Sequence, residues 1–307
     1  CQAAVGRAGC LGSPEDRPAW LATSRALHGI ATLGPLLDAP VRQDRWGAAR
    51  DRRLTGALAW GRKPSAQRAE RRAADLGLPV RWIEDGFLRS FRSGPHHPPL
   101  SMVVDDEGVF YDASRPSGLE AMLNGEAFEL TPALLEQVTR ARHLILSHGL
   151  SKYNDAPALD RVEAALGRPL LRPGDRQRVL VVDQTAGDLS IAFGAASART
   201  FDEMLVAALT DNPEATVYVK SHPEVTSGHK AGHFSHLRDT ERVVVLREAI
   251  EPLSLLRQMD AVYVVSSTLG FEALLAGKPV TCLGLPWYAG WGVTHDRQHC
   301  ERRTRTR

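Results

Sequence analysis

The sequence predicts an α/β protein made of two Rossmann-like halves that face a central cleft. Short apolar, β-branched runs alternate with helical patterns along the chain, a Pro/Arg/Gly-rich stretch at 167–178 interrupts that alternation once, and the alternation then restarts. A length of 307 residues is enough for two ordinary domains. We therefore predict an N-terminal domain over 1–166 and a C-terminal domain over 167–307.

The first half contains strand patterns separated by helical ones. The predicted strands are 54–61, 79–86, 100–108 and 143–149, and a charged helix is predicted over 64–76. Residues 1–53 are expected to form an irregular first strand and helix. The second half repeats the alternation, with predicted strands at 179–185, 215–223, 242–248, 261–267 and 279–285 and predicted helices at 198–210, 252–258 and 268–276.

The composition of the chain limits which partners and which cellular compartment are expected. The chain carries 38 basic and 36 acidic residues, for a net charge of +2, so its overall field gives no reason to expect nucleic acid as a partner. Two Arg-rich stretches, 68–73 and 301–307, are expected to be a solvated helix face and a frayed end, or else to contact an anionic membrane surface. The four cysteines form no CxxC pair, which suits a reducing cytoplasm.

Polar residues follow most of the predicted strands. Ligands of open parallel sheets bind beyond the carboxyl ends of the strands, so these groups are candidates for one cleft, although each alone could be a cap or turn. The groups are Gly61-Arg62-Lys63, Glu84-Asp85-Gly86, Ser147-His148-Gly149, Asp183-Gln184-Thr185, Lys220-Ser221-His222-Pro223 and Ser266-Ser267-Thr268.

The stretch 265–280 predicts a strand that ends in Ser266-Ser267-Thr268 and turns into a helix carrying Glu272. Hydroxyls and free amides at a helix start can hold phosphate, and a carboxylate can accept from ribose hydroxyls. The alternative interpretation is an ordinary capping box. We prefer a site for a donor nucleotide.

Lys220 and His222 stand two residues apart in an extended segment and should point to the same side. Pro223 ends the strand and restricts the residue before it. The two side chains could therefore address one anionic group, although His222 could also be satisfied by a neighbouring carbonyl. The pair His97-Pro98 lies in a proline-rich loop and is expected to be structural.

Carboxylates are predicted on both walls of the cleft, Asp183 from the second half and Glu84 with Asp85 from the first. Glycosyl transfer needs such a pair, one group to attack or stabilise the anomeric carbon and another to move the acceptor proton. Each carboxylate could instead be a cap. No GxGxxG, P-loop lysine or GxSxG elbow occurs, and Asp105-Asp106-Glu107 is interpreted as a turn, so neither a cofactor nor a metal is expected.

Eight ordered blocks, from about residue 54 to 307, resemble the KpsC/LipA capsule polysaccharide biosynthesis family. They are WGRKPSA (60–66), EDGFLRS (84–90), YDASRPSGLE (111–120), GLSKYN (149–154), VDQTAGDLSI (182–191), VKSHPEV (219–225), STLGFEALLAGKPVTCLG (267–284) and PWYAGWGVTHDR (286–297). One departure is His295-Asp296, where the family usually has an acidic pair.

The resemblance implies a GT-B-like, metal-independent, retaining β-Kdo glycosyltransferase. Such enzymes use CMP-Kdo to extend a poly-Kdo linker on a lyso-phosphatidylglycerol-type acceptor, at the cytoplasmic face of the inner membrane and with other capsule assembly proteins as possible partners. Family proteins often carry two tandem modules, and this chain looks more like the N-terminal one. The alternatives are transfer of another CMP- or UDP-activated sugar, and a non-catalytic module that binds Kdo or lipid.

The resemblance also implies residue roles. Asp183 would be the nucleophile that forms a Kdo adduct, Glu84 the acid/base that faces the acceptor, and His222 a further catalytic residue. The donor site would comprise Lys220, Pro223, Gln184, Ser266, Ser267, Thr268 and Glu272. Acceptor binding would fall to Asp85, Arg89 and Lys152.

Overall fold

The computed structural model describes residues 17–45, 51–94, 97–125, 130–222, 225 and 231–306. Two sheets form the framework, as the α/β pattern predicted. The predicted donor-site residue Pro223 lies outside the described residues, as do Cys1, Cys10 and most of the stretch that follows His222.

The first sheet has five strands in the order β2-β1-β3-β4-β5. The strands are β1 (Ala19–Ala22), β2 (Val41–Gln43), β3 (Leu54–Trp60), β4 (Val80–Asp85) and β5 (Met102–Asp105). The first four are parallel, whereas β5 runs antiparallel to β4 at the edge. Leu21, Leu58 and Ile83 are fully buried between this sheet and its helices.

Six helices precede the second sheet in the part of the chain that the structure describes. They are α1 (Arg25–His28), α2 (Leu33–Leu37), α3 (Pro64–Leu76), α4 (Gly118–Asn124), α5 (Pro132–His148) and α6 (Leu159–Leu166). In α3, the residues Ala66, Ala69 and Ala73 recur at helical spacing and bury one face.

The second sheet has six parallel strands in the order β11-β10-β9-β6-β7-β8. The strands are β6 (Arg178–Val182), β7 (Thr216–Lys220), β8 (Val243–Leu246), β9 (Ala261–Val264), β10 (Val280–Cys282) and β11 (His295–Asp296). The helices are α7 (Leu189–Phe193), α8 (Ala198–Asp211), α9 (Pro252–Arg257) and α10 (Leu269–Leu275). The middle residues of the central strands β6, β7 and β9 are apolar because helices cover both faces.

The prediction of a strand over 143–149 is wrong, because these residues form the last turns of α5 and its cap. Thr131 Oγ1 accepts a hydrogen bond from the amide of Leu134 at the start of that helix, and Gly149 ends it in the left-handed conformation at φ 63°. Ile145 and Leu146 pack against the core of the second sheet. A short apolar run cannot by itself distinguish strand from buried helix.

The C-terminal stretch is packed rather than frayed over its described residues. The Arg303 side chain is 2% exposed, pairs with Glu120 at 3.2 Å, and donates to the carbonyls of Pro286 and Ala289 at 2.6 Å. Arg302 also pairs with Glu120, at 2.7 Å. These bonds fasten the end of the second half to α4 of the first half.

The boundary between the two domains stays a prediction. Leu159 and Val162 of α6 pack in the core of the second sheet, although the predicted first domain extended to residue 166. Across the described residues we find no helix with the length and apolar character needed to span a bilayer.

Candidate functional site

Glu84 is the penultimate residue of β4 and is partly buried at the carboxyl edge of the first sheet. Its Oε1 accepts hydrogen bonds from the indole Nε1 of Trp60 at 3.1 Å and from the backbone amide of Asp85 at 2.9 Å. Burial raises the pKa of Glu84, the charge of Asp85 adds to that effect, and the cations Lys63 and Lys152 oppose it. A raised pKa suits a group that exchanges a proton near neutral pH.

Tyr111 completes the surroundings of Glu84 and was not predicted as a site residue. A Cβ placed on Gly61 would lie 2.5 Å from both Glu84 Oε2 and the Tyr111 hydroxyl, so only glycine fits between them. The Tyr111 hydroxyl accepts from the amide of Arg62 at 2.9 Å. Burial, and then the charge of Glu84, raise the pKa of this phenol. The tyrosine therefore stays neutral beside the carboxyl group.

The three residues predicted to bind the acceptor do lie together. Arg89 Nε donates to Asp85 at 2.8 Å, and Lys152 Nζ lies 3.9 Å from the same carboxylate. Burial alone would lower the pKa of Lys152, but the phenol of Tyr153 and the carboxylates of Asp85 and Glu84 outweigh it and raise the pKa. Arg89 also donates to Ser90 and to the carbonyl of His97, so that guanidinium is largely engaged within the protein.

Asp183 follows β6 directly and is 1% exposed. Its Oδ1 accepts from the backbone amides of Gln184 at 2.9 Å and His233 at 3.0 Å, and its Oδ2 accepts from the amide of Phe234 at 3.4 Å. Burial raises the pKa of Asp183, while the three amides lower it. Among the described residues no lysine or arginine forms an ion pair with it, so this carboxylate is stabilised by backbone dipoles.

The segment 231–234 that supplies two of these amides was missed by sequence reasoning. It pairs with the loop after Asp183, where the amide of Ala186 donates to the carbonyl of Ala231 at 2.8 Å. The imidazole of His233 stacks on Phe201 with ring centroids 3.8 Å apart. The sequence shows Gly-His-Phe at 232–234. This pattern does not indicate a contact with Asp183, because backbone amides can be supplied by almost any residue type.

The predicted donor residues Gln184 and Ser266 lie in one cluster with Ser190. Gln184 accepts from the Ser266 amide and donates to the Ser266 hydroxyl, both at 3.0 Å, and the hydroxyls of Ser190 and Ser266 are 3.1 Å apart. Ser267 Oγ accepts from the Leu269 amide at 3.3 Å. Thr268 is the N-cap of α10 and makes no capping bond with its side chain.

Glu272 and Lys220 are both buried, 2% and 6% exposed. Glu272 Oε1 accepts from the Ser151 hydroxyl at 2.8 Å, whereas Oε2 has no hydrogen-bond partner among the described residues. Burial raises the pKa of Glu272 to about 7. Burial lowers the pKa of Lys220 to about 8, against the opposing charges of Glu272 and Glu248. His222 is partly buried, directly after these strand-end residues.

The loop from Asp183 to Phe193 approaches the Glu84 cluster across the cleft. The amide of Ala113 donates to the Phe193 carbonyl at 2.8 Å, and the Arg62 guanidinium lies 5.2 Å from the Phe193 ring. The charge of Asp188 acts on both Tyr111 and Lys152. Segments of the two halves thus meet between the sheets, where the loop after β5 contacts the end of α7. The described residues contain no cluster of three or more potential metal ligands.

Comparisons with known proteins match most of the chain. Residues 56–307 match the family described as Capsule polysaccharide biosynthesis protein. Two proteins named Capsule polysaccharide modification protein LipA, from Neisseria meningitidis serogroups B and A, are 46% and 44% identical over 78% and 89% of this chain. These matches cover only 33% and 38% of the relatives, so the chain spans about a third of their length.

Two solved structures are also similar. Thermosulfurimonas dismutans KpsC, beta Kdo 2,4 transferase, matches with a TM-score of 0.85 and 42% identity over 95% of this chain and 87% of that chain. The beta Kdo 2,7 transferase of the same KpsC matches with a TM-score of 0.65 and 27% identity over 95% of this chain and 86% of that chain.

Proposed function

Because the chain belongs to the capsule polysaccharide biosynthesis family, whose match spans residues 56–307, we propose that it is a retaining β-Kdo transferase. The donor is CMP-Kdo and the acceptor is a Kdo-terminated glycolipid of the lyso-phosphatidylglycerol type. The carrying observation is that two carboxyl groups, Glu84 and Asp183, lie at the carboxyl ends of strands in two different sheets, and that the two halves contact each other through the Ala113 amide and the Phe193 carbonyl. The similarity to two Kdo transferases supports this choice of sugar.

The proposed reaction is a double displacement. An Asp183 oxygen attacks the anomeric carbon of Kdo, that bond forms as the bond to the CMP phosphate breaks, and CMP leaves with its electron pair. An acceptor hydroxyl then attacks the same carbon from the opposite face, Glu84 takes the hydroxyl proton, and the Asp183 carboxylate is released. Two inversions give net retention.

The donor would lie against the Ser266 cluster and Lys220. In its protonated form Lys220 offsets the negative charge that develops on the departing phosphate, with His222 beside it, so the reaction would need no metal. Activity should therefore persist in EDTA. Glu272 would accept from ribose hydroxyls, since its Oε2 has spare acceptor capacity.

The acceptor would lie along the first sheet. Asp85 and Lys152 would orient its sugar beside Glu84, and Arg89 holds Asp85 in place. We propose a 2,4-linked product, because the 2,4 transferase is the more similar of the two structures. Linkage analysis of the product tests this. The acceptor lipid implies that the enzyme works at the cytoplasmic surface of the inner membrane.

The decisive experiment incubates the protein with CMP-Kdo and a synthetic Kdo-lipid acceptor. We expect CMP release, product extended by one Kdo, and, under single turnover without acceptor, a Kdo-sized mass adduct that Asp183→Asn abolishes. Asp160→Asn, at an exposed position of α6, is the matched control. CMP-Kdo binding without CMP release would support a non-catalytic module instead. Turnover with another CMP- or UDP-activated sugar, but not with CMP-Kdo, would support the alternative transferase.

A further inference from the structure

The described residues Ala231–Phe234, called here the clamp, hold the Asp183 carboxylate from one side. His233 and Phe234 donate their amides to its two oxygens, and a Cβ on Gly232 would lie 2.3 Å from Oδ2. Gly232 has no positive φ, so a close approach, rather than backbone freedom, requires glycine at this position.

The side chain of His233 anchors the clamp by packing. Its ring lies flat on Phe201 of α8, with an interplanar angle of 5°, and Phe201 is itself 1% exposed in the core of the second sheet. His233 Nε2 is buried and has no hydrogen-bond partner among the described residues. The stack on Phe201 is the ring contact that the described residues show for His233.

We propose that Gly232 and His233 are positioning residues for the nucleophile. They fix the orientation of the Asp183 carboxylate, and the ring stack on Phe201 ties that orientation to α8. This inference rests on the proposed role of Asp183. An aspartate whose hydrogen-bond donors are backbone amides can rotate when those amides move, and a displacement of about 1 Å can lower a rate by about 10²-fold.

The test uses the whole chain, three variants of the clamp and one control variant. Gly232→Ala and His233→Ala should slow formation of the Kdo adduct from CMP-Kdo by about 10²-fold and leave the dissociation constant of CMP nearly unchanged. His233→Phe keeps a flat ring on Phe201 and should restore most of the rate. His236→Ala, at an exposed position just beyond the clamp, should behave like the wild type.

Three results would overturn the inference. Adduct formation at the wild-type rate in Gly232→Ala would show that the close approach is unimportant. A rate for His233→Phe as low as that of His233→Ala would show that imidazole chemistry, rather than stacking, matters. Weaker CMP binding in step with the slower rate would indicate a general distortion of the donor site.

A second measurement separates this inference from the proposed function. Carbon-13 titration of the Asp183 carboxyl, assigned with Asp183→Asn, should show a higher pKa in Gly232→Ala than in the wild type, because the amide donors move away from the carboxylate. If the wild type forms no adduct, the proposed function fails. The titration still decides whether the clamp positions Asp183, and an unchanged pKa in Gly232→Ala would refute it.

Discussion

Glu84 and Asp183 occupy equivalent places, at the carboxyl ends of parallel strands in two sheets, but the protein holds them in different ways. Glu84 accepts from the Trp60 indole and from one backbone amide, that of Asp85, and the Tyr111 hydroxyl lies close to its other oxygen. Asp183 is held by three backbone amides. A group held by side chains can be tuned by substitution, whereas one held by amides responds only when the chain around it moves.

The largest expected effect comes from Glu84→Gln, which should impair the second half-reaction, transfer to the acceptor, but not the first, formation of the adduct on Asp183. CMP is a good leaving group and needs no proton, so Glu84→Gln should form the Kdo adduct on Asp183 at close to the normal rate. Transfer to the acceptor should fall by about 10³-fold, because no base remains to take the hydroxyl proton. Intact-mass measurement over time should show the adduct accumulating even with acceptor present.

Glu107→Gln is the control for that substitution, since Glu107 is exposed in the turn after β5. If Glu84→Gln lost adduct formation and transfer equally, Glu84 would act in the first step, and the division of labour between the two carboxylates would be wrong.

An intermediate effect concerns Glu272, a third carboxyl group, which is buried and accepts a hydrogen bond from the Ser151 hydroxyl. Because burial raises its pKa from 4.5 to about 7, the folded protein keeps a proton that the unfolded chain releases between those values, and stability falls as the pH rises through that window. Glu272→Gln should therefore be more stable than the wild type at pH 8, by on the order of 1 to 3 kcal/mol, and this gain should shrink at pH 5.

Urea unfolding at the two pH values measures this difference. The same variant should bind CMP more weakly if Glu272 accepts from the ribose. If the variant were less stable than the wild type at pH 8, the ionised Glu272 side chain would not destabilise the folded protein, and this explanation would be wrong.

The smallest effect tests how Glu84 is tuned. Trp60→Phe removes the indole donor from Glu84 Oε1, so the anionic form loses stabilisation and the pKa of Glu84 should rise further. Glu84 must be ionised to act as a base, and the acid limb of the pH profile for transfer should move to higher pH by about half a unit to one unit. The rate on the plateau should change little.

Trp82→Phe is a close control, because the Trp82 indole nitrogen is buried with no hydrogen-bond partner among the described residues. An acid limb that moves equally in both variants would mean that packing, rather than the hydrogen bond to Glu84, sets the pKa.

Much of this arrangement follows from sequence pattern. Parallel strands place their carboxyl ends at one edge, so Glu84, Asp183 and Ser266 could be predicted as neighbours of the cleft from their positions after apolar runs. The family resemblance is confirmed by the match over residues 56–307. The roles of the individual site residues stay predictions.

The features that could not be predicted depend on contacts that many different residue types could make. The amides of His233 and Phe234 could belong to any non-proline residue, and Tyr111 stands in a loop rather than at a strand end. The run at 143–149 resembled a strand because it contains consecutive apolar residues. Over so short a window, a helix that packs against a core can show the same pattern. Arg302 and Arg303 resembled a frayed end because their partner, Glu120, is distant in sequence.

Gly61 limits how this protein could be redesigned. Any larger residue there would intrude between the Glu84 carboxyl group and the Tyr111 hydroxyl, at φ 51°, which other residues also adopt reluctantly. A substitution in the turn from β3 into α3 would therefore also displace Glu84, the proposed base. Attempts to evolve a new acceptor preference should spare that turn and vary the side chains of Arg89 and Lys152, which stand on two different loops joined by backbone hydrogen bonds.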